Sequence, residues 1–355
     1  MSFVLFKDSF KRYDQAGNQS NAAFVANLRQ RYTFVRGSNF GIDTTGSLPP
    51  EFTMLNAGLG KTLPHSSRWV CGHRYRYLST GLANVSAIYQ LFNNSSILFS
   101  LTQNADGTLA IFAGNYTPGN GTTLGVTNRS LFSNIRYYLE WDVTLSGSSP
   151  IICTAELQIN GHVEASGSGS TTVTTSQLLS GNPDANLHEF AAPAGGLGTQ
   201  SWIKDLYIKN EAGYEGDVRI VPIYPASDGG LLQWTPNSGT THFDRVNTHP
   251  VDITKFLKTA TPGNIDLWTF DTLPAFSGTI VGINISVLAQ KDDEGTKSFK
   301  IVTGATGTDA QSDEFFVSSA NPEYYEFSLK LDPQTGLPWT AAGVNALIAG
   351  VKCIS

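Results

Sequence analysis

Gly60-Lys61-Thr62 has the residue types of a phosphate-binding loop, in which backbone amides curl around phosphates and a lysine reaches them. That loop needs a glycine five residues ahead of the second one. Leu55 occupies the position, so the segment reads instead as a loop before a strand. The six histidines are His65, His73, His162, His188, His242 and His249; no pair has i, i+4 spacing and no HExxH occurs. His65 and His73 could converge in three dimensions, although ordinary hydrogen bonding is the commoner use of strand and loop histidines. No G-x-S-x-G elbow is present. Asp142 and Glu156 could supply the two carboxylates of glycoside hydrolysis from neighbouring strands. Any two outward acids on adjacent strands share that pattern, so no enzymatic activity is expected. Tyr75, Tyr77, Tyr116 and Tyr138 could stack on sugars, or could simply pair with neighbours across a sheet.

These residues must be positioned by strands. In 355 residues only 15% are charged, and the 35 glycines with abundant Ser, Thr and Asn suit many short strands joined by tight turns. The length allows two domains with separate cores. A net charge of −6 leaves no basic footprint for nucleic acid. The three cysteines, Cys71, Cys153 and Cys353, are far apart and sit in apolar runs, as buried small hydrophobes would. That usage fits folding in a reducing compartment. Phe3–Phe6 is too short for the apolar core of a secretion signal, and no stretch nears the ~20 apolar residues of a membrane span. Asn-x-Ser/Thr triplets at Asn84, Asn94, Asn115, Asn120, Asn128 and Asn284 then read as features of an Asn-rich β surface.

Alternation with a period of two dominates. Leu139, Trp141, Val143 and Leu145 share a face opposite Glu140, Asp142 and Thr144, and Cys153, Ala155, Leu157 and Ile159 repeat the pattern. The parity predicts a core containing Leu139, Trp141, Val143, Cys153, Leu157 and Ile159, with Glu140 and Asp142 in solvent. Asp106-Gly107 and Asn160-Gly161 are hairpin turns, and Ser166 to Thr175 reads as a flexible loop or weak edge strand. Prolines and glycines crowd residues 222–239. Beyond them Ile283, Ile285 and Val287, then Tyr325, Phe327 and Leu329, begin a second alternating pattern. Thr340 is an expected N-cap and Gly350 an expected C′ residue of one short helix, followed by a last strand at 351–354.

Val4-Leu5-Phe6-Lys7-Asp8-Ser9-Phe10-Lys11-Arg12-Tyr13, Lys61-Thr62-Leu63-Pro64 and Val70-Cys71-Gly72-His73-Arg74-Tyr75 follow one another in a suggestive order. So do Trp202-Ile203-Lys204-Asp205-Leu206-Tyr207 and a further strand Gly216-Asp217-Val218-Arg219-Ile220. As a set they resemble the laminin-G-like (concanavalin A-like) jelly-roll modules of tailed-bacteriophage virion proteins. Asp332-Pro333-Gln334-Thr335-Gly336-Leu337-Pro338-Trp339-Thr340 resembles the C-terminal ending of many such proteins. The resemblance implies an optional rim Ca²⁺ held by aspartate and carbonyl oxygens, for which Asp43 and Asp106 are the loop candidates. No other cofactor is implied.

The expected architecture is all-β: an N-terminal laminin-G-like jelly-roll sandwich over 1–225, a linker or turn region over 226–240, and a smaller C-terminal β-sandwich over 241–355 with one short helix. The expected function is a non-enzymatic structural component of the virion, assembled in the host bacterial cytoplasm. It would be homo-oligomeric and act through surfaces shared with other virion proteins, without nucleic acid or membrane span. The alternatives are a glycan-binding receptor module of a tail fibre, with Tyr116 as its binding residue, or a capsid decoration protein. A fragment ending near residue 225 is expected to unfold cooperatively by itself, as a thermal melt followed by circular dichroism would show.

Overall fold

The computed structural model describes residues 5–8, 34–36, 40–43, 51–54, 58–78, 85–117, 119–178, 180–191, 200–248, 251–318 and 321–355. The chain divides into two compact units, Met1–Ile220 and Val221–Ser355. The architecture is the expected all-β one, with antiparallel sheets in sandwich arrangement.

In the first unit, one sheet runs from the edge strand His162–Ser170 through Ile152–Ile159, Tyr137–Ser146, Arg68–Leu78, Gln200–Lys209 and Glu51–Met54 to Phe40–Asp43. Leu5–Asp8 pairs with Gln200–Lys209 off this path. The facing sheet runs Gly121–Ser130, Thr108–Gly114, Ser96–Gln103, Ser86–Asn93, Ala185–Ala191, Gly58–Ser66 and Phe34–Arg36. Trp141 stands opposite Leu157 on one side and Cys71 on the other, so the three side chains share the inner face. Leu139, Trp141, Val143, Cys153, Leu157 and Ile159 are all buried, as their parity requires. Trp141 packs with ring centroids 4.6 Å from Tyr89 and 5.4 Å from His73. At the Asn160-Gly161 turn both residues take positive φ, 52° and 79°, the conformation that a two-residue hairpin demands.

His73 and His188 lie inside this core. The Tyr89 hydroxyl and His188 Nδ1 share a hydrogen bond of 2.7 Å, and Cys71 Sγ approaches the same hydroxyl at 3.5 Å. Burial pushes His73 down to about 4 and His188 down to about 3, and drives the Cys71 thiol upward. The arrangement has the residue types of a thiol–imidazole pair, yet it is sealed from solvent and serves packing.

Several local expectations change. Gly58–Ser66, expected as a loop, is a strand paired with Ala185–Ala191; its extended backbone cannot wrap a phosphate. Residues 166–170 of the Ser166–Thr175 tract belong to the edge strand His162–Ser170, and residues 171–174 leave it as irregular chain. Gly216–Ile220 is no strand: residues 210–220 cross the outer face of the first sheet as irregular chain. Glu140, expected in solvent, is therefore buried beneath them.

The second unit has a six-stranded sheet containing Pro225–Leu232, Ile265–Phe270, Ile348–Cys353, Lys297–Thr303 and Ala310–Gln311, with Phe315–Val317 also pairing Lys297–Thr303. Residues 225–232 thus form a strand where a linker was expected. The ribbon of Ile283–Ala289 and Glu323–Leu329 lays Ile285, Val287, Tyr325 and Phe327 on Trp268, Phe299, Ile301 and Val351 of that sheet. Thr340 caps the short helix Ala341–Asn345, accepting from the Gly343 amide at 3.0 Å. Gly350 is not a helix C′ residue but sits in the strand Ile348–Cys353, where a Cβ would meet the Asp266 carbonyl at 1.8 Å. Close approach of two strands selects glycine there.

Two measurements follow from this core. Trp141→Ala should cost about 3–5 kcal/mol in chemical denaturation, since the cavity left between two sheets cannot collapse. His73 and His188 bind protons below their ordinary value of 6.5 only once unfolded. The unfolded state then takes up more protons, and stability should fall as pH drops from about 6.5 towards about 4. His188→Gln should flatten that acid limb of the unfolding free energy, which is the readout.

Candidate functional site

At one end of the second sheet, cross-strand partners place Thr62, Leu187, Phe92 and Ile97 in a row on the same face. Thr62, Leu187 and Phe92 have parity opposite to the core residues Leu59, Phe190 and Leu91, so they lie on the outer face, and Ile97 joins them across the register shift between Leu91 and Phe92. Beside it, Thr62, His65, Asn93, Asn94, Asn186 and Leu187 line a cleft of about 190 Å³. That is smaller than the roughly 300–1,000 Å³ of a pocket enclosing a drug-sized ligand. The cleft suits an edge or a single residue of a longer molecule.

Three elements build the walls. His65 comes from the end of Gly58–Ser66, Asn186 from the start of Ala185–Ala191, and Asn93-Asn94 from the turn joining Ser86–Asn93 to Ser96–Gln103. Asn94 sits at φ 54°, in the left-handed region that asparagine tolerates in turns. Asp184 ties the walls together. Its Oδ1 accepts from Ser180 Oγ at 2.7 Å and Asn93 Nδ2 at 2.8 Å, and lies 2.9 Å from His65 Nδ1. Asn93 Nδ2 also donates to the Asp184 carbonyl at 3.0 Å. With its amide nitrogen so committed, Asn93 is 1% exposed and its Oδ1 has no partner. The Asn186 Oδ1 has none either. Buried amide oxygens left unpaired within the protein are uncommon, because each costs about 1–3 kcal/mol.

A second polar cluster lies on the outer face of the first sheet. Glu140 Oε1 accepts from the Tyr207 hydroxyl at 2.6 Å and from the Gly216 and Glu215 amides at 2.9 and 3.1 Å. Tyr207 reaches it by crossing Gly72, where a Cβ would stand 2.4 Å from the ring. Arg74 bonds both oxygens of Asp217, at 2.6 and 2.5 Å, and Lys209 pairs with Glu215. Burial, partly opposed by these donors, holds the Glu140 carboxyl above its ordinary value. The cluster fastens residues 210–220 to the sheet.

The residues singled out from sequence scatter. Tyr116 is half-buried in the loop after Thr108–Gly114 and is not among the residues lining the cleft. Asp106 accepts from the backbone and hydroxyl of its neighbour Thr108 at 2.9 and 2.7 Å, which lowers its carboxyl: it caps its own turn. Asp43 ends the strand Phe40–Asp43 and is not in a loop, and its side chain lies outside the described residues. Among the described residues no group of three or more His, Cys, Asp or Glu side chains could hold a metal. Tyr75, Tyr77 and Tyr138 are buried and form no open platform. His65 and His73 do not converge, the first lying in the cleft and the second in the core. Asp142 and Glu156 are direct cross-strand partners, but Arg68 bonds both Asp142 oxygens at 3.1 and 2.5 Å. Of the cleft residues, the sequence singles out Thr62, His65 and Asn94, each for a different reason, and nothing in it says that they meet one another or Asn93, Asp184 and Asn186.

No family model matches the chain, and no curated protein matches it in sequence. Solved structures share its fold at low identity. The marine PL-14 alginate lyase from Aplysia kurodai matches at 14% identity over 49% of this chain and 88% of that one, with a TM-score of 0.36. An endo-β-1,4-glucuronan lyase from the fungus Trichoderma reesei matches at 9% over 51% and 91%, TM-score 0.37. The carbohydrate-binding module CBM66 from Bacillus subtilis matches at 6% over 47% and 89%, TM-score 0.30. These matches correct two expectations. The matched structures are polysaccharide lyases and a carbohydrate-binding module, none a virion component, so neither the exclusion of an enzyme nor the virion structural role is carried further.

Proposed function

We propose that the N-terminal sandwich binds a glycan in the cleft between His65, Asn93 and Asn186. The observation that carries this reading is the pair of amide oxygens, Asn93 Oδ1 and Asn186 Oδ1, left without partners beside an outward apolar row. A sugar ring offers C–H faces to apolar side chains and hydroxyl groups to amides in the same contact. Rigid strands hold two of the walls, so little side-chain ordering is needed on binding. The motifs resembling phage jelly-roll modules supply a setting for the reading: recognition of a host-surface glycan by a receptor module of a tail fibre.

A glycan array probed with the full chain, followed by calorimetric titration of the sugars retained, tests the proposal. Asn186→Ala should weaken binding about five- to tenfold, the worth of one hydrogen bond of about 1 kcal/mol. Tyr116→Ala is the competing variant and should leave the affinity unchanged. Absence of any retained sugar, or loss of binding on Tyr116→Ala alone, would overturn the assignment to this cleft.

A further inference from the structure

Resting on the glycan reading of the cleft, we infer that its ligand is an uncharged, hydroxyl-rich sugar residue and that carboxylated sugars are rejected. The lining of Thr62, His65, Asn93, Asn94, Asn186 and Leu187 contains no lysine or arginine. Lys61 is the nearest cation in sequence. It alternates to the other face of its strand, with its ammonium 4.8 Å from the centre of the Phe6 ring. A carboxylate taken from water into such a site would have no cation to pair with among the described lining residues, and unpaired burial of charge is costly.

The hydrogen-bonding character of the walls points the same way. Asn93 commits its Nδ2 to Asp184 and keeps only an acceptor, Oδ1, whereas Asn94 and Asn186 each carry an acceptor oxygen and a donor nitrogen. His65 Nδ1 lies 2.9 Å from the Asp184 carboxyl oxygen, a partner that takes the ring proton on Nδ1. In neutral imidazole this leaves Nε2 as an acceptor too. Asp184 itself, with its side chain 14% exposed, brings negative charge behind the histidine. Such walls suit a ligand that donates as well as accepts. Sugar hydroxyls do both; a carboxylate only accepts, and would set its oxygens beside Asn93 Oδ1 and the Asp184 carboxylate.

Calorimetric titration of the full chain at pH 7.5 with neutral tetrasaccharides (gluco-, galacto- and manno-) and with mannuronate and glucuronate tetrasaccharides tests the inference. At least one neutral probe should bind ten times or more tighter than either uronate, and Asn186→Ala and His65→Gln should each weaken it. Thermal melts of both variants keep loss of binding separate from loss of fold. Uronates that bind as tightly as the neutral sugars, and lose affinity on Asn186→Ala, would overturn the charge selection while leaving the cleft as the glycan site. Failure of both classes to bind, or binding that ignores both substitutions, would overturn the underlying glycan reading and this inference with it.

Discussion

The packing of two sheets around Trp141 is the constraint on which the first unit depends. Because side chains on a strand alternate, committing Cys71, Trp141 and Leu157 to the interior commits Arg74, Glu140 and Asp142 to the opposite face. The chain then returns over that face with residues 210–220, and the charged side chains must be paired where they are covered. Arg74 with Asp217, Lys209 with Glu215, and Glu140 with two backbone amides meet that requirement. Gly72 makes the closest of these contacts sterically accessible by leaving room for the Tyr207 ring. Asp205, at φ 53° within the bulge of Gln200–Lys209, accepts from the Ile220 amide and holds the far end of the covering segment.

The same alternation generates the cleft on the other sheet. Phe190 and Leu59 point inward, so Leu187 and Thr62 must point outward, in register with Phe92 and Ile97. What joins the walls of this sheet end is Asp184. One carboxyl oxygen gathers Ser180, Asn93 and His65, and so fixes the orientation of both polar side chains. Hydrogen bonds to a charged acceptor are roughly twice as strong as neutral ones. Satisfying that carboxylate uses up the donors of Asn93 and leaves its acceptor open.

The second unit applies the same rule to a single buried carboxylate. Asp266 is fully enclosed and accepts from the Gln233 and Trp234 amides at 2.6 and 2.7 Å, with His242 Nδ1 at 2.6 Å. These bonds fix the turn after Pro225–Leu232 against Ile265–Phe270. Gly350 lets Ile348–Cys353 approach the Asp266 backbone from the other side. Burial of the carboxylate is offset by three donors, so the strand edge is ordered without an ion pair to lysine or arginine.

Sequence by itself determined the fold class, the parity of the central strands and the hairpins at Asp106-Gly107 and Asn160-Gly161. These are local properties: a period of two and a turn residue that tolerates positive φ act within a few residues of chain. It also placed Thr340 as a helix cap, but ended that helix too late, because the reason for Gly350 is a strand more than 80 residues away. Tertiary structure alone decided that Glu140 is buried, since the segment covering it lies some 75 positions downstream. It alone brought His65, Asn93 and Asp184 within hydrogen-bonding reach across separations of 119 and 91 residues. Nothing in the type or spacing of those three residues distinguishes them from other surface polar groups. Their chemistry arises from one shared carboxylate, and that sharing exists only once the strands that carry them are paired.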